Sequence, residues 1–359
     1  MLYGGGITER KEKKICISLM ELVLCLLVIY IHAASDAVTN YSKSSIFTLA
    51  LFSGQKIAFF AMSGFLFTSA LKLAMGNSTE RQPYHKYMLA RIKRAIPGYL
   101  FWVLAFYLYF VYVLKYFPFS WGKLAGYLLK GNLVSHFYFV PIILQFYLLA
   151  PAMVRFARKY PWKVGMALSV VLNLAFSWIS IKFPKLLMWD RVFPVYISYF
   201  AAGIYAGINY DSLEAFLRKR GKAIAIIAIA IASLFVGVSL AAFTGARVGY
   251  FPMETLQLAF RHVMAMALLS LCVFLAPHVS GATRNAVSFL HKGAFVVYLS
   301  HPLAMFIVMN HLPEDASMLT RFLARALAGA VLPFACAACY ELAKDKATKA
   351  MARIKGARA

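Results

Sequence analysis

Apolar residues fill this chain in long runs that short polar stretches interrupt at near-regular intervals. A helical membrane span takes roughly 20 mainly apolar residues. Runs of that kind fall near 15–34, 46–71, 95–114, 133–154 and 164–181. Five more follow near 192–208, 223–243, 255–276, 293–311 and 322–342. The run over 46–71 is long enough to tilt or to begin outside the bilayer. The pattern predicts an all-α, polytopic integral membrane bundle of about ten transmembrane helices. It divides the chain into a basic N-tail over 1–14, a membrane domain over 15–342 and a basic C-tail over 343–359. The run from Ile15 to Ala34 is long enough to span, so it reads as an anchor rather than a cleavable signal.

Composition agrees with that reading. Of 359 residues, 62% are hydrophobic and only 14% charged, against about half and a quarter in a soluble domain. Thirty-eight Lys and Arg face 13 Asp and Glu, a net charge of +25. In a soluble protein such an excess suggests nucleic acid. Here its placement argues otherwise. With both termini in the cytoplasm, basic residues favour the cytoplasmic side by about three to one, as the positive-inside rule requires. The charge is therefore mainly a topology signal, N-in and C-in, and no nucleic-acid partner is expected. The bilayer itself is the first partner.

The five cysteines, Cys16, Cys25, Cys272, Cys336 and Cys339, all lie in apolar stretches. Neither a disulfide framework nor a metal site is expected of them, and Cys336 and Cys339 read as small packing residues despite their CxxC spacing. No internal repeat is visible, and no stretch leaves room for a separate soluble domain. Any chemistry belongs to the bundle and its rims.

Ionisable groups inside spans are costly and mark candidate sites. His32 stands near the outer end of the first span, with Asp36 four residues later on the same helical face. A carboxylate there could orient the imidazole as a general base. An interfacial histidine beside a solvated aspartate fits the same spacing. Arg91 and Arg94, in the basic run from Arg81 to Pro97, share a face at the cytoplasmic mouth of the third span. Paired guanidinium groups suit phosphates, and Pro97 suits the first turn of a helix. Ordinary interfacial anchoring places arginines there as well. Ser63 and Gly64, in Phe59 to Leu66, permit close packing or a kink. No Gly-x-Ser-x-Gly elbow surrounds Ser63. In Tyr298-Leu-Ser-His301-Pro302, the proline frees the Tyr298 carbonyl, an opening that Ser300 or His301 could fill. Arg261 and His262 form a further intramembrane pair. Glu21 lies about one turn into the first span, where an Arg or Lys partner is expected.

Taken together, these segments resemble the acyltransferase-3 family of integral membrane acyltransferases. The resemblance runs through Leu22 to His32, Phe59 to Leu66, Arg91-x-x-Arg94-x-x-Pro97, His136 to Pro141, Tyr147 to Pro151, and Tyr298 to His301. Each is weak alone, but their order over nearly the whole chain is fairly specific. The resemblance implies a multi-pass protein of the bacterial cytoplasmic membrane. Its reaction would move an acyl group, commonly acetyl, from cytoplasmic acyl-CoA to a hydroxyl of an envelope or exported glycan. His32 matches the family's essential histidine, and Arg91 and Arg94 match arginines assigned to the CoA phosphates. Acyl-CoA and a carbohydrate acceptor are then the expected partners, with no metal. Asp36 is a candidate catalytic partner of His32, while Glu21, Ser63, Arg261 and His301 are candidate pocket residues. One departure stands out: the family often has an arginine eleven residues before the histidine, and this chain has Glu21 there. The competing class is a polytopic transporter or exporter of a glycan or small anion, without acyl transfer.

Overall fold

The computed structural model describes residues 7–76, 79–80, 82–185 and 188–356. Arg81, the first residue of the basic run before the third span, lies outside them, as do the ends of both tails. Regular structure among the described residues is entirely helical. Nine of these helices are long and apolar enough to cross a membrane. The remaining predicted span is the shorter apolar helix Phe193–Ile208. This is an all-α, multi-pass membrane bundle.

The chain forms two compact units, one from residues 1–58 with 274–359 and the other from 59–273. The first begins with α1, Ile7–Asn40. No Gly or Pro interrupts those residues, so the i to i−4 ladder runs unbroken for about 51 Å at 1.5 Å per residue. Helix α2 is Ile46–Ala58. The predicted span over 46–71 falls within one apolar stretch long enough to cross a membrane, Ile46–Met75, which a turn at Phe59–Phe60 divides into α2 and α3, Ala61–Met75. Ser63 explains the local geometry, because its Oγ donates to the Phe60 carbonyl at 2.8 Å and closes the first turn of α3.

Helix α4 is Tyr84–Leu108, continued by a π-helical turn over Tyr109–Val113. It starts well before the predicted span, with Pro83 as its N-cap. Pro97 therefore lies inside the helix, not in its first turn as expected. The basic segment from Lys86 to Arg94 is helical, so the apolar run alone misjudges where the helix begins. Next comes α5, Trp121–Lys130, in a segment whose apolar content predicts only a loop. It is a short amphipathic helix capped by Ser120, whose side chain accepts from the Lys123 N–H, and ended by Gly131 at φ 60°. Tyr107 Oη donates to the Ser120 carbonyl at 2.8 Å and Tyr99 Oη to the Leu128 carbonyl at 2.9 Å, which ties α5 to α4.

Helices α6, Phe139–Lys159, and α7, Trp162–Lys182, precede α8, Ile197–Ile208. Helix α8 packs closely on α3. Gly203 and Gly207, at the close-contact spacing of small residues in membrane helices, face the backbone of α3. A Cβ at Gly207 would stand 2.6 Å from the Leu71 carbonyl oxygen, and one at Gly203 would overlap that of Phe67. Phe200 stacks on Phe146 of α6 at 4.4 Å, and Ser198 Oγ donates to Asn173 Oδ1 of α7 at 2.9 Å. Helices α9, Tyr210–Phe243, and α10, Tyr250–Leu275, complete this unit.

The first unit resumes with α11, Gly281–Met309, and α12, Met318–Gly356. Both pack along α1. A Cβ at Gly293 of α11 would stand 2.6 Å from Ala337 Cβ of α12, so the pair approaches closely. Cys336 and Cys339 face outward on α12 rather than packing inside it, while Cys16, Cys25 and Cys272 are buried.

Candidate active site

The first unit places its polar side chains on three facing helices. His32 of α1 and His301 of α11 bring their rings to 5.1 Å between centroids, tilted by 54°. His301 is fully buried. Its position follows from Pro302: the proline has no N–H to give the Tyr298 carbonyl. His301 Nδ1 fills that opening, donating to Tyr298 O at 2.8 Å and Val297 O at 3.2 Å. Both partners are carbonyl oxygens, so Nδ1 carries the proton. In the neutral ring Nε2 then holds the lone pair. Ser300, the other candidate for the opening, donates to Val296 O instead.

The backbone around His32 is held from two other helices. Arg325 of α12 donates through Nη2 to the His32 carbonyl at 2.7 Å and through Nε to the Ala33 carbonyl at 3.2 Å. Its Nη2 also reaches Ser35 Oγ at 3.3 Å, and that hydroxyl donates to the His32 carbonyl at 2.7 Å. Gln55 of α2 donates to the Ile31 carbonyl at 3.0 Å. Three consecutive carbonyls of α1 thus accept side-chain donors at the level of the imidazole.

Asp36 shares a helical face with His32, but its carboxylate is directed to α12. Arg321 Nε donates to Asp36 Oδ2 at 2.9 Å and Nη2 to Oδ1 at 3.4 Å, while Asn40 Nδ2 donates to Oδ1 at 2.9 Å. The expected carboxylate–imidazole pairing is replaced by a carboxylate–guanidinium pairing beside it. Arg321 and Arg325 are i, i+4 on α12, matching His32 and Asp36 at i, i+4 on α1. That matched spacing is the sequence signal for both arginines, and it is visible only when the two helices are compared.

Glu21, buried deeper along α1, pairs with Nε2 of His291 on α11. A histidine is thus a partner of this carboxylate, where the sequence suggests Lys or Arg. One turn on, Cys25 Sγ donates weakly to Ala294 O at 3.8 Å.

The second unit holds the remaining predicted residues. Arg91 sits between two phenol rings, 5.2 Å from the Tyr87 centroid and 5.4 Å from that of Tyr147 on α6. Tyr87 is fully buried. Arg94, one turn on, is exposed. The two share a face as expected, one anchored and one open. The positive end of the α4 dipole lies at Tyr84, roughly 15 Å before Arg94, so it does not reinforce the pair as Pro97 at a helix start would have. Ser63 is buried with its hydroxyl engaged by Phe60 O. Arg261 of α10 lies over the Phe59 ring at 5.3 Å and approaches the Tyr199 hydroxyl closely enough for a hydrogen bond.

A family model described as an acyltransferase domain matches residues 14–341. Curated relatives include proteins of Staphylococcus aureus strains MSSA476, MW2 and N315, each described as "Probable poly-beta-1,6-N-acetyl-D-glucosamine export protein". Each is 24% identical over 323 residues, covering 85% of this chain and 87% of the relative. No solved structure matches.

Proposed function

Because the chain belongs to the acyltransferase-3 family, we propose that it is a membrane O-acyltransferase using acyl-CoA, most simply acetyl-CoA, and a glycan hydroxyl. The observation that carries this reading is the imidazole pair: His32 and His301, 5.1 Å apart, with the His301 tautomer set by the Tyr298 carbonyl. A general base needs a lone pair held in a defined direction. The clamped carbonyls around His32 supply that rigidity.

In the proposed reaction His32 takes the proton of the acceptor hydroxyl while its oxygen attacks the thioester carbonyl. The tetrahedral intermediate collapses with cleavage of the C–S bond. The departing CoA thiolate takes up the proton from the His32 imidazolium, so charge and protons balance. His301, with Nδ1 committed to carbonyls, presents Nε2 as a second acceptor for the same proton or for the acceptor hydroxyl. Arg91 and Arg94 receive donor phosphates, Arg91 prealigned by its two tyrosines. Such a base contributes about 10²–10⁴-fold.

The location proposed is the bacterial cytoplasmic membrane with both termini in the cytoplasm, supported by the distribution of basic residues. In that orientation His32 lies about 25 Å along α1 from Ile15, far from the side where CoA enters. The pantetheine arm must therefore reach deep into the membrane, or the acceptor must enter it.

The description of the relatives as export proteins favours a second reading, glycan export without acylation. Membrane vesicles carrying the protein separate the two. Acyl transfer requires stoichiometric CoA release when acetyl-CoA and glycan acceptor are both present. Glycan movement with no CoA release supports export instead.

A further inference from the structure

Arg261 poses a charge problem that the acyl-transfer residues do not resolve. It lies within the apolar helix α10, about two turns beyond Glu254. None of the ion pairs among the described residues includes it. Its Nε is buried with no hydrogen-bond partner. Glu254, the nearest carboxylate along α10, is taken up by Ser177 Oγ and Gln257 Nε2, each at 3.4 Å. What surrounds the guanidinium is aromatic: the Phe59 face, the Tyr199 hydroxyl and, within electrostatic range, the phenols of Tyr138 and Tyr196. Tyr196 Oη is already directed to the Asp190 carbonyl at 3.0 Å. The His262 ring lies 4.6 Å from that of Tyr199, tilted by 33°.

A guanidinium with five donors and no anion is expensive in an apolar medium. Phenols and a ring face offset part of that cost, and phenol O–H groups can themselves donate to an oxyanion. A planar fork with phenol donors beside it fits a phosphate or carboxylate. The place differs from that of the donor arginines. Tyr138 precedes α6 while Tyr147, which holds Arg91, lies roughly 13 Å further along it.

We propose that Arg261, with Tyr199 beside it, binds an anionic group of the acyl acceptor, a phosphate of a lipid-linked glycan or a carboxylate of an acidic sugar. This rests on the acyl-transfer reading for the word acceptor, while the anion site itself does not.

The test is thermal unfolding of the purified full-length protein with three separate probes: farnesyl pyrophosphate, a glucuronate oligosaccharide and CoA. Stabilisation by one of the first two identifies the source of the oxyanion. In R261M the affinity for that probe falls about tenfold to a hundredfold, the value of a charge-assisted hydrogen bond, while the CoA shift persists. The R91Q/R94Q variant behaves in the opposite way. R261K keeps the charge without the fork, so it retains only part of the anion affinity and serves if R261M does not accumulate. Undiminished anion binding in R261M and R261K, or no anion stabilising the wild type, overturns the proposal. Loss of the CoA shift in R261M overturns it as well, because the site would then belong to the donor. A wild type that binds the anion but not CoA contradicts the acyl-CoA reading and leaves the Arg261 site standing.

Discussion

Arg325 and His32 meet through the backbone: Nη2 of the arginine donates to the histidine carbonyl at 2.7 Å, and Nε to the next carbonyl at 3.2 Å. The side chain that stabilises the imidazole's turn therefore comes from α12. A half-buried guanidinium spent on carbonyls carries a desolvation cost, so its retention at this level implies positioning. Arg325→Met should lower kcat for acyl transfer by about 10–10²-fold, the scale of a misplaced catalytic group, with little change in KM for acyl-CoA. Arg325→Lys, which lacks the fork, should recover only part. Steady-state kinetics in membranes read the split, and a KM effect alone would assign Arg325 to donor binding.

Asp36 and Arg321 join α1 to α12 one turn further along, with side chains 11% and 22% exposed. Removing either partner strands the other, at about 1–3 kcal/mol. Asp36→Asn and Arg321→Met should each lower the unfolding temperature, and the double variant should lose less than the two combined. A coupling of about 0.5–3 kcal/mol in that cycle is expected. Additive losses would show that the pair does not stabilise the α1–α12 contact.

His301 separates structure from chemistry through one substitution. The Nδ2 of asparagine can occupy the place of imidazole Nδ1 and keep the bond to the Tyr298 carbonyl, but it offers nothing in place of Nε2. His301→Asn should unfold near the wild-type temperature and lose about 10²-fold or more in transfer rate. Pro302→Ala returns an N–H to the Tyr298 carbonyl, so His301 should lose its fixed orientation and activity should fall at unchanged expression. Full activity in His301→Asn would limit this histidine to packing.

Close packing of α8 on α3 gives a stability prediction independent of the chemistry. Gly207→Leu should destabilise by about 1–3 kcal/mol or more, since overpacking forces backbone shifts. Gly126→Ala in α5 is the control, because a Cβ there meets nothing within 4 Å. Equal thermal stability of the two variants would contradict the α3–α8 geometry.

How far the sequence carried can be seen residue by residue. Long apolar runs identify the membrane bundle because bilayer thickness dictates their length. They misjudge α4 and α5, where helix continues through basic or amphipathic segments too polar or too short to read as spans. Within the span over 46–71 they do not reveal the turn that divides α2 from α3, since a turn at Phe59–Phe60 needs no polar residue. The opening beside Tyr298 was legible because a proline removes a known hydrogen bond, and His301 fills it. The partners of Asp36 and Glu21 were not. Arg321 and His291 stand far from them in the chain, and only the packing of α11 and α12 along α1 brings them together.

The most direct test of acyl transfer at His32 uses His32→Ala in membranes supplied with radiolabelled acetyl-CoA and glycan acceptor. With protein abundance matched to wild type, the account predicts a fall in labelled glycan of at least about 10²-fold. Transfer at the wild-type rate would contradict it.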